Sequence, residues 1–341
     1  MNASRSLNFF ALLLAVIAIA AIGFKNYQGD TGSKILNVSY DATREVYGQI
    51  NPRFVEKYET ETGHRMSVEQ SHGGSSRQAR AVLDGVPADV VTLALPSDIE
   101  MLSKRGLIAN DWKTRLPHNS QPYYSTIVFV VRTPNPKHIK DWPDLVKSDL
   151  AIITPDPKTS GNGKLTFLAA WVSVIYRGGS ESGARAFVKS IYDHVAVLGQ
   201  SARDSSTTFA LGKEGDVQLT WENEALREVS ESKGELEIVY PSVSILAEPS
   251  VAWIDTNVKK HQTEAAARVY LEFLYSDVAQ EFFARNGFRP VNDIILQKHR
   301  KSLRDIALFP ISTVARDWTD AEEKFFGDSG VYGTIHTAET K

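Results

Sequence analysis

Cysteine is absent from this sequence of 341 residues, and its absence removes several kinds of chemistry at once. Disulfide bonds, thiolate zinc sites, iron–sulfur clusters and cysteine nucleophiles all require the thiol group. An excess of basic residues is also missing, because 38 Lys and Arg stand against 41 Asp and Glu, a net charge of −3. Proteins that bind polynucleotides carry a basic surface, so no nucleic-acid partner is expected.

Motifs for metals, nucleotides and acyl transfer are absent as well. The eight His are scattered, without an H-E-x-x-H motif, so neither a metal nor another cofactor is expected. Neither G-x-x-x-x-G-K-[ST] nor G-x-G-x-x-G occurs, which disfavours nucleotide phosphates as ligands. No G-x-S-x-G elbow is present to expose a catalytic serine. The sequence therefore predicts no catalytic residues.

The amounts of the other residue types are ordinary. Hydrophobic residues make up 42% and charged residues 23% of the chain, with 22 Gly and 14 Pro, which is typical of a soluble globular protein. At about 100–200 residues per domain, the length predicts two domains, or one with additions.

The N-terminal region contains one unbroken apolar run, FFALLLAVIAIAAIGF (9–24), behind a short leader with Arg5. This pattern is typical of a secretory signal peptide. The run is longer than a usual signal core and shorter than the roughly 20 residues that span a bilayer. Residues 1–33 are therefore predicted to be a signal peptide or, alternatively, an N-terminal anchor. We expect an exported protein in the periplasm, held at the inner membrane if the run is not cleaved.

Short β-rich runs alternate with helical patterns along the rest of the chain. ILNVSY (35–40), MSVEQ (66–70) and DVVTLAL (89–95) each precede a helical pattern, and the alternation returns from LAIITP (150–155) to DVQLTW (216–221). Such alternation predicts α/β units with parallel sheets covered by helices. Two α/β units therefore follow one another.

The last part of the chain departs from this alternation. SVAWID (250–255) precedes one long helix predicted near 262–286, and this segment needs a sheet to pack on. The economical solution returns it to the first unit, so that STIVFVVR (125–132) and SILAEPSVAWID (244–255) cross between the units. We therefore predict one lobe from residues 34–122 plus 250–341, and a second lobe from residues 123–249.

Three strand-to-helix junctions carry small polar residues where a helix begins: SHGGSSRQ (71–78), KTSGNGK (158–164) and SARDSSTTF (201–209). A helix start presents unpaired backbone N–H groups and a positive dipole end, which bind anions without a cationic side chain. For any single junction an ordinary cap is the simpler interpretation. SDIE (97–100), for example, is interpreted as a capping box without a function. The first two junctions, however, contain more Gly than capping needs, and because Gly permits a close approach of the backbone to a ligand, this clustering favours anion binding.

Trp221 ends an apolar strand directly before a helix, at the edge of the sheet where α/β proteins bind ligands. A buried core tryptophan is the alternative interpretation. Glu222 and Glu224 follow, and both are predicted to lie on the solvated face of the helix.

Taken together, NVSYDATREVY, QSHGGSSRQA, PDPKTSGNGK, SARDSSTTF, TWENEAL and ILAEPSVAWID resemble the periplasmic sulfate-binding proteins of ABC importers, in order and in spacing. The resemblance runs from about Ile35 to Thr334. In that family the second Gly-rich loop reads Asn-Pro-Lys-Ser/Thr-Ser-Gly-x-Ala-Arg. Here Asp156 replaces Asn, while Gly163 and Lys164 replace Ala and Arg. These departures bear on selectivity more than on the class of ligand.

The resemblance implies a class II periplasmic binding protein fold, in which two α/β lobes joined by two crossing segments enclose the ligand in a cleft. The ligand would be sulfate or thiosulfate, held by neutral hydrogen-bond donors. The resemblance assigns ligand-binding positions to Asp41 and Ser75 in the first lobe, and to Ser160, Gly161, Asn162, Ala202 and Trp221 in the second.

Further expectations concern roles and partners. The Asp41 side chain is expected to face away from the ligand and to accept local hydrogen bonds at the start of its helix. Ser160 is expected to act as a donor and as a helix cap. The resemblance implies a monomer without enzymatic activity that delivers its ligand to an ABC permease with a cytoplasmic ATPase.

Two other functions stay open at the level of sequence. One is an exported serine hydrolase with Ser160 or Ser75 as the nucleophile, for which His72 is the nearest base. The other is a membrane-anchored anion sensor that retains residues 9–24. Sulfate and thiosulfate themselves differ by one oxygen-to-sulfur replacement, and the sequence does not separate them.

Overall fold

The computed structural model describes residues 33–336, whose strands form two main sheets and two short two-stranded ribbons. The strands are β1 (Ser33–Tyr40), β2 (Met66–Gly73), β3 (Val90–Leu93), β4 (Tyr123–Tyr124), β5 (Ile127–Arg132), β6 (Ile152–Pro155), β7 (Val195–Gly199), β8 (Val217–Trp221), β9 (Leu236–Val239), β10 (Val243–Ile245), β11 (Ser250–Trp253), β12 (Arg289–Pro290) and β13 (Ala307–Phe309).

Helices follow most strands of the two main sheets. They are α1 (Arg44–Thr62), α2 (Ser75–Leu83), α3 (Pro96–Lys104), α4 (Gly161–Tyr176), α5 (Glu181–Asp193), α6 (Ala202–Ser206), α7 (Glu222–Glu231), α8 (Asp255–His261), α9 (Glu264–Phe273), α10 (Asp277–Arg285), α11 (Asp293–Lys298), α12 (Trp318–Ala321) and α13 (Val331–His336). Wider π-helical turns extend α6 over Thr207–Leu211 and α12 over Glu322–Phe326. A 3₁₀ turn, Asp41–Thr43, precedes α1.

The first lobe is built on the sheet β11-β3-β1-β2. β1 runs parallel to β2 and β3, and β11 is antiparallel to β3. Along β1, Ile35 and Val38 belong to different apolar clusters and are both fully buried. Helices therefore cover both faces of this sheet, as is usual for parallel sheets.

The second lobe is built on the sheet β7-β6-β8-β5-β9. β6 runs parallel to β7 and β8, whereas β5 is antiparallel to both β8 and β9. Each parallel strand leads into a helix at its carboxyl end. The two-lobed α/β fold expected from the sequence is thus confirmed.

Helix α4 packs between the second sheet and the C-terminal segment. Every residue from 161 to 173 is buried. On the side away from the sheet, Phe325 lies 6.0 Å from Phe167 and 5.1 Å from Trp171, between ring centroids. The sequence assigned residues 250–341 to the first lobe, and because of these contacts we propose that α12 and α13 be counted with the second.

Backbone connections join the lobes next to the cleft. Ser125 and Ala247 exchange two hydrogen bonds, N to O, of 2.9 and 3.0 Å, so the two predicted crossing segments pair where they pass between the lobes. A third passage, which the sequence did not predict, follows α11, since β13 pairs with β10 before the chain reaches α12.

The prediction of one continuous helix near 262–286 is wrong. The structure has two helices, α9 and α10, because Ser276 starts a new helix by accepting a hydrogen bond from the backbone N–H of Ala279. Residues 1–32, on which the signal peptide or anchor was predicted, lie outside the described residues. Among residues 33–336 there is no helix long and apolar enough to cross a membrane.

Candidate functional site

The carboxyl ends of parallel strands from both sheets meet in the cleft. In the first lobe, β1 and β2 are in register to their ends, Tyr40 opposite Gly73. In the second lobe, Pro155 at the end of β6 pairs with Gly199 at the end of β7, and β8 ends at Trp221. Helix starts follow these strand ends, and the seven site residues predicted from the sequence all lie at these junctions.

Two glycines allow the lobes to touch. A Cβ atom added at Gly74 would lie 2.5 Å from the carbonyl oxygen of Thr159 and 2.8 Å from that of Gln200. A Cβ atom at Gly161 would lie 2.6 Å from Cβ of Ala94 in the opposite lobe. Only glycine fits at such distances, so the Gly-rich loops are contacts between the lobes as well as helix starts.

Two buried side chains in this region present donors without a protein acceptor. Ser160 is the N-cap of α4 and is 2% exposed, yet its hydroxyl makes no capping bond, so the cap expected from the sequence is wrong. Trp221 is 1% exposed and its ring packs 5.4 Å from Tyr40 of the other lobe. Within residues 33–336 its indole N–H has no acceptor, whereas that of Trp142 binds the carbonyl oxygen of Val243.

Backbone N–H groups complete the set of donors. Gly161 and Asn162 lie in the first turn of α4, and Ala202 is the first residue of α6. The first N–H groups of a helix have no acceptor within that helix. The Asn162 side chain belongs to α4 itself, because its Oδ1 accepts from Thr166 Oγ1 at 3.4 Å. The Nδ2 of Asn162 is buried without a partner among residues 33–336, and its backbone N–H lies in the first turn of α4.

The Asp41 side chain does not make the local hydrogen bonds predicted from the sequence. Its carboxylate does not cap its own helix but accepts the backbone N–H of Arg203, across the cleft, at 2.7 Å. Burial raises the pKa of Asp41 to about 6, and hydrogen bonds from Ser201 and Arg203 oppose that rise. The local cap predicted for this side chain is wrong, and its charge is directed to the start of α6.

Ser75 is also committed to a protein partner. Its hydroxyl donates to Oδ2 of Asp98 at 2.5 Å and accepts the backbone N–H of Ala94 at 2.9 Å. Asp98 also accepts from the hydroxyl of Ser76 at 2.9 Å. The capping box predicted at residues 97–100 is wrong, because α3 begins at Pro96 and Asp98 instead fixes the start of α2. Ser75 therefore offers its backbone N–H to the cleft.

A network of charges lies beside the site. The Arg203 guanidinium binds both oxygens of Glu45 across the cleft, at 2.7 Å each, and also binds Glu224 at 3.0 and 3.1 Å. Arg227 binds Glu224 from the other side at 2.9 Å. Burial alone would raise the pKa of Glu45, but Arg203 lowers it below its usual value. The charges compensate one another and leave neutral donors next to the cleft.

The sequence placed Glu222 and Glu224 on a solvated surface, and this expectation is wrong. Both are buried, at 0% and 1% exposure. Glu222 binds Arg289 through two bonds of 2.7 and 2.8 Å, directly after Trp221. No sequence signal indicated this pair, because its members are 67 residues apart.

His72, named from the sequence as the nearest base for a serine hydrolase, is bound to a different serine. Nδ1 of His72 lies 2.8 Å from Oγ of Ser39, and no hydrogen bond joins His72 to Ser75 or Ser160 among the described residues. Burial lowers the pKa of His72 to about 4, which makes the ring neutral near pH 7. No group of three or more metal-binding side chains occurs among residues 33–336.

Comparisons with known proteins agree with this geometry. The family model for bacterial extracellular solute-binding proteins matches residues 28–289. The thiosulfate-binding protein of Pseudomonas aeruginosa is 44% identical over 89% of this chain and 92% of its own length. The sulfate-binding protein of Salmonella typhimurium is 44% identical over 96% of this chain and 97% of its own length.

A solved structure is similar over most of the chain. The sulfate-binding protein SubI from Mycobacterium tuberculosis superposes with a TM-score of 0.79 and 30% identity, covering 86% of this chain and 99% of its own. The match to a binding protein of an Agrobacterium tumefaciens ABC transporter, at 14% identity and a TM-score of 0.66, shows the fold alone. The chain therefore belongs to the family of bacterial extracellular solute-binding proteins.

Proposed function

We propose that this protein encloses sulfate or thiosulfate between its lobes and delivers it, chemically unchanged, to an ABC permease with a cytoplasmic ATPase. One observation carries the proposal. Ser160 and Trp221 are buried residues whose hydroxyl and indole N–H have no acceptor among residues 33–336, and they lie beside the first N–H groups of α4 and α6. The proposed ligand-binding groups are these side chains together with the backbone N–H groups of Asp41, Ser75, Gly161, Asn162 and Ala202.

Neutral donors suffice to hold a dianion in this cleft. An isolated ion in a medium of low dielectric would cost tens of kcal/mol by an idealised estimate, although the effective penalty in a protein is much smaller. About half a dozen hydrogen bonds to a charged group contribute roughly 1.5–3 kcal/mol each. The helix dipoles add to them. Together these contributions offset the effective penalty without a cationic side chain on the ligand.

The state of Asp41 determines which anion fits. Because its carboxylate is occupied by the backbone N–H of Arg203, the ligand position is lined by donors and lacks an acceptor. Sulfate near pH 7 is fully deprotonated and accepts from every donor. Phosphate keeps at least one proton, and that O–H would face another donor at a cost of roughly 1–3 kcal/mol for each unsatisfied group.

Calorimetric titration of the ligand-free protein at pH 7 with sulfate, thiosulfate and phosphate tests this function. Sulfate should bind at least about a thousandfold more tightly than phosphate, because a missing acceptor discriminates far better than a small difference in size. Phosphate affinity within tenfold of sulfate affinity would contradict the proposed donor-only site. Equal affinities for sulfate and thiosulfate would mean that the site recognises this class of anion and does not distinguish the two.

The family relationship supports the remaining parts of the proposal. Relatives named as sulfate-binding and thiosulfate-binding proteins match almost the whole chain. We propose export to the periplasm through residues 1–33, which are removed or retained as an anchor, and action as a monomer without catalysis. N-terminal sequencing of the exported protein distinguishes removal from retention. An ester-hydrolysis assay beside the titration tests the absence of catalysis.

A further inference from the structure

A buried ion pair joins the first residue of α7 to β12. Glu222 is 0% and Arg289 5% exposed. The carboxylate of Glu222 accepts hydrogen bonds from Nε of Arg289 at 2.7 Å and from Nη2 at 2.8 Å, and Nη2 also donates to the carbonyl oxygen of Arg304 at 2.6 Å. Removing two charges from water offsets most of their attraction, so a pair this deeply buried is a weak source of stability. Its position in the fold therefore indicates its role better than its stability does.

The two residues of the pair come from opposite sides of the cleft. Glu222 follows β8, a strand of the second sheet. Arg289 lies on β12, opposite Tyr124 of β4, and β12 packs on α10, which in turn packs on α1 of the first lobe. The turn before β12 fits directly against α7, because a Cβ atom added at Gly287 would lie 2.9 Å from Cα of Asn223. The ion pair therefore connects the ligand-binding edge of the second sheet to the first lobe.

The pair also lies next to the segments that cross between the lobes. The backbone N–H of Glu222 donates to the carbonyl oxygen of Thr126 at 3.0 Å. The hydroxyl of Thr126 donates to the carbonyl oxygen of Ile245, in the second crossing segment, at 2.8 Å. In a hinge motion, atoms beside the crossing segments move least. A contact at this place therefore persists while the lobes open and close.

A chain of aromatic rings also leads from the residue before β12 to Trp221. The ring of Phe288 packs 4.8 Å from that of Tyr123. The hydroxyl of Tyr123 donates to that of Tyr40 at 3.2 Å, and the ring of Tyr40 packs 5.4 Å from that of Trp221. These separations are typical of favourable aromatic contacts. The same short segment of chain therefore reaches Trp221 by two routes, through the rings and through the ion pair.

We propose that Arg289 is a positioning residue for anion binding: it holds Glu222 beside the hinge and thereby fixes the direction in which the indole N–H of the preceding residue, Trp221, points. The inference rests on the proposed function, in which Trp221 donates to the bound anion. A guanidinium suits this task because its planar donors fix both oxygens of a carboxylate at once, whereas an ammonium group acts as a point charge. Arg289 acts through Glu222 and does not contact the ligand.

The test removes the pair without leaving one buried charge unpaired. In the double variant Glu222→Met/Arg289→Met, two apolar side chains replace the pair, and such replacements are often neutral or stabilising. Urea unfolding should therefore show a stability close to that of the unaltered protein. Calorimetry should nevertheless show sulfate affinity lowered at least about fivefold, because a hydrogen-bond donor to a charged group is no longer aligned.

A second measurement follows Trp221 directly. With isotopically labelled indole nitrogens, each of the six Trp gives one N–H resonance in NMR, and that of Trp221 is assigned by its loss in Trp221→Phe. The double variant should displace this resonance without sulfate and reduce the shift that sulfate causes. Arg115→Met is the matched control, because Arg115 binds the carboxylate of Asp255 and stacks 4.6 Å from the ring of Trp253. It should displace the Trp253 resonance alone and leave sulfate affinity unchanged.

Combining the variants separates positioning from a general structural role. In a Trp221→Phe background, loss of the ion pair should lower sulfate affinity by less than about twofold further, because residues that act as a unit are not additive. An additive loss, an unchanged affinity, or a lowered affinity with an unmoved Trp221 resonance would each overturn the proposal. If the double variant does not fold, Arg289→Lys replaces it, with an expected loss of at least about threefold and the same displacement. Failure of the proposed function is separate, because the unaltered protein would then not bind sulfate in calorimetry.

Discussion

Two buried tryptophans differ in whether the indole N–H has an acceptor within the protein. The indole N–H of Trp142 donates to the carbonyl oxygen of Val243 at 2.7 Å, which satisfies it inside the protein. Trp221 is equally buried and packs on Tyr40, but its N–H has no acceptor within residues 33–336. Trp112, Trp171 and Trp318 also have an indole N–H without a partner among the described residues, so what distinguishes Trp221 is its position at the carboxyl end of β8, against the opposite lobe. We therefore propose a ligand-binding role for Trp221, which the sequence left open against a place in the core.

Replacement of Trp221 by Phe should weaken sulfate binding by roughly 1.5–3 kcal/mol, or about 10-fold to 150-fold. The ring keeps its contact with Tyr40, while the one hydrogen-bond donor of the indole is lost. Calorimetry at pH 7 measures the change. Trp142→Phe is the matched control, since it should lower stability and leave sulfate affinity unchanged. Unchanged sulfate affinity in a folded Trp221→Phe protein would contradict the ligand-binding role and identify Trp221 as a core-packing residue.

Replacement of Ser160 by Ala should lower sulfate affinity about tenfold or more, with no measurable loss of stability. The hydroxyl makes no capping bond, so its removal takes away only a donor to the ligand. Ser180→Ala is the control, because Ser180 does cap a helix. Its Oγ accepts from the backbone N–H of Gly183 at 3.1 Å at the start of α5. That change should cost about 1 kcal/mol of stability. Covalent labelling of Ser160 by an acylating probe would contradict the binding role.

At the scale of elements, the sequence predicts what depends on local pattern. The β–α alternation and the Gly-rich junctions each lie within about a dozen residues, and the strands and helix starts follow from them. Partners far apart in sequence were missed. Asp98 holds Ser75 from 23 residues away, and Arg289 holds Glu222 from 67. The sequence shows an acidic residue at a helix start, Asp98, and another directly after a strand, Glu222. It does not show that the partner of each lies in another element.

Helix α7 also contains a buried carboxyl group that titrates near neutral pH. Glu228 is 2% exposed, and its Oε1 accepts from Ser206 at 2.5 Å and from Gln218 at 3.3 Å. Its Oε2 is buried without a partner among the described residues. The pKa of Glu228 is raised from its usual 4.5 to about 7, mainly by burial and also by the nearby charge of Glu224, while the hydrogen bond from Ser206 opposes the rise.

This titration should make the protein less stable as pH rises. Because the pKa of Glu228 is higher in the folded chain than in the unfolded one, the folded state binds the proton more tightly. The free energy of unfolding should therefore fall between about pH 4.5 and pH 7, by an amount on the order of 2–4 kcal/mol, and then level off. The charges that face Glu228 besides Glu224 are those of Arg227 and Arg132.

Urea unfolding at several pH values, with the unaltered protein and with Glu228→Gln, isolates this contribution. The amide keeps the size of the side chain and cannot ionise. The variant should gain stability relative to the unaltered protein as pH rises from 4.5 to 7, while the contributions of other groups cancel in the difference. Parallel curves for the two proteins would show that Glu228 does not titrate in this range.

On the scale of the whole molecule, ligand binding and closure of the lobes depend on the same elements. Helix α6 begins at the proposed ligand, with the N–H of Ala202, and the next residue, Arg203, holds Glu45 and Asp41 of the other lobe. Sulfate would join the same two surfaces that these contacts join. A ligand that binds the closed arrangement better shifts the lobes toward closure, and any contact that favours closure strengthens ligand binding.

Replacement of Glu45 by Gln should therefore weaken sulfate binding although Glu45 does not contact the ligand. The carboxylate is 38% exposed and Arg203 keeps Glu224, so the interlobe pair is worth at most about 1 kcal/mol, and affinity should fall by about twofold to fivefold. The difference should shrink at high salt, because salt screens an exposed pair. Glu61→Gln is the control, since Glu61 lies on the same helix and pairs with Lys57 inside the first lobe. Calorimetry gives the affinities, and small-angle scattering without sulfate should show a more expanded molecule for Glu45→Gln alone. Equal affinity and equal dimensions for both variants would mean that the lobes close without help from the Arg203–Glu45 pair.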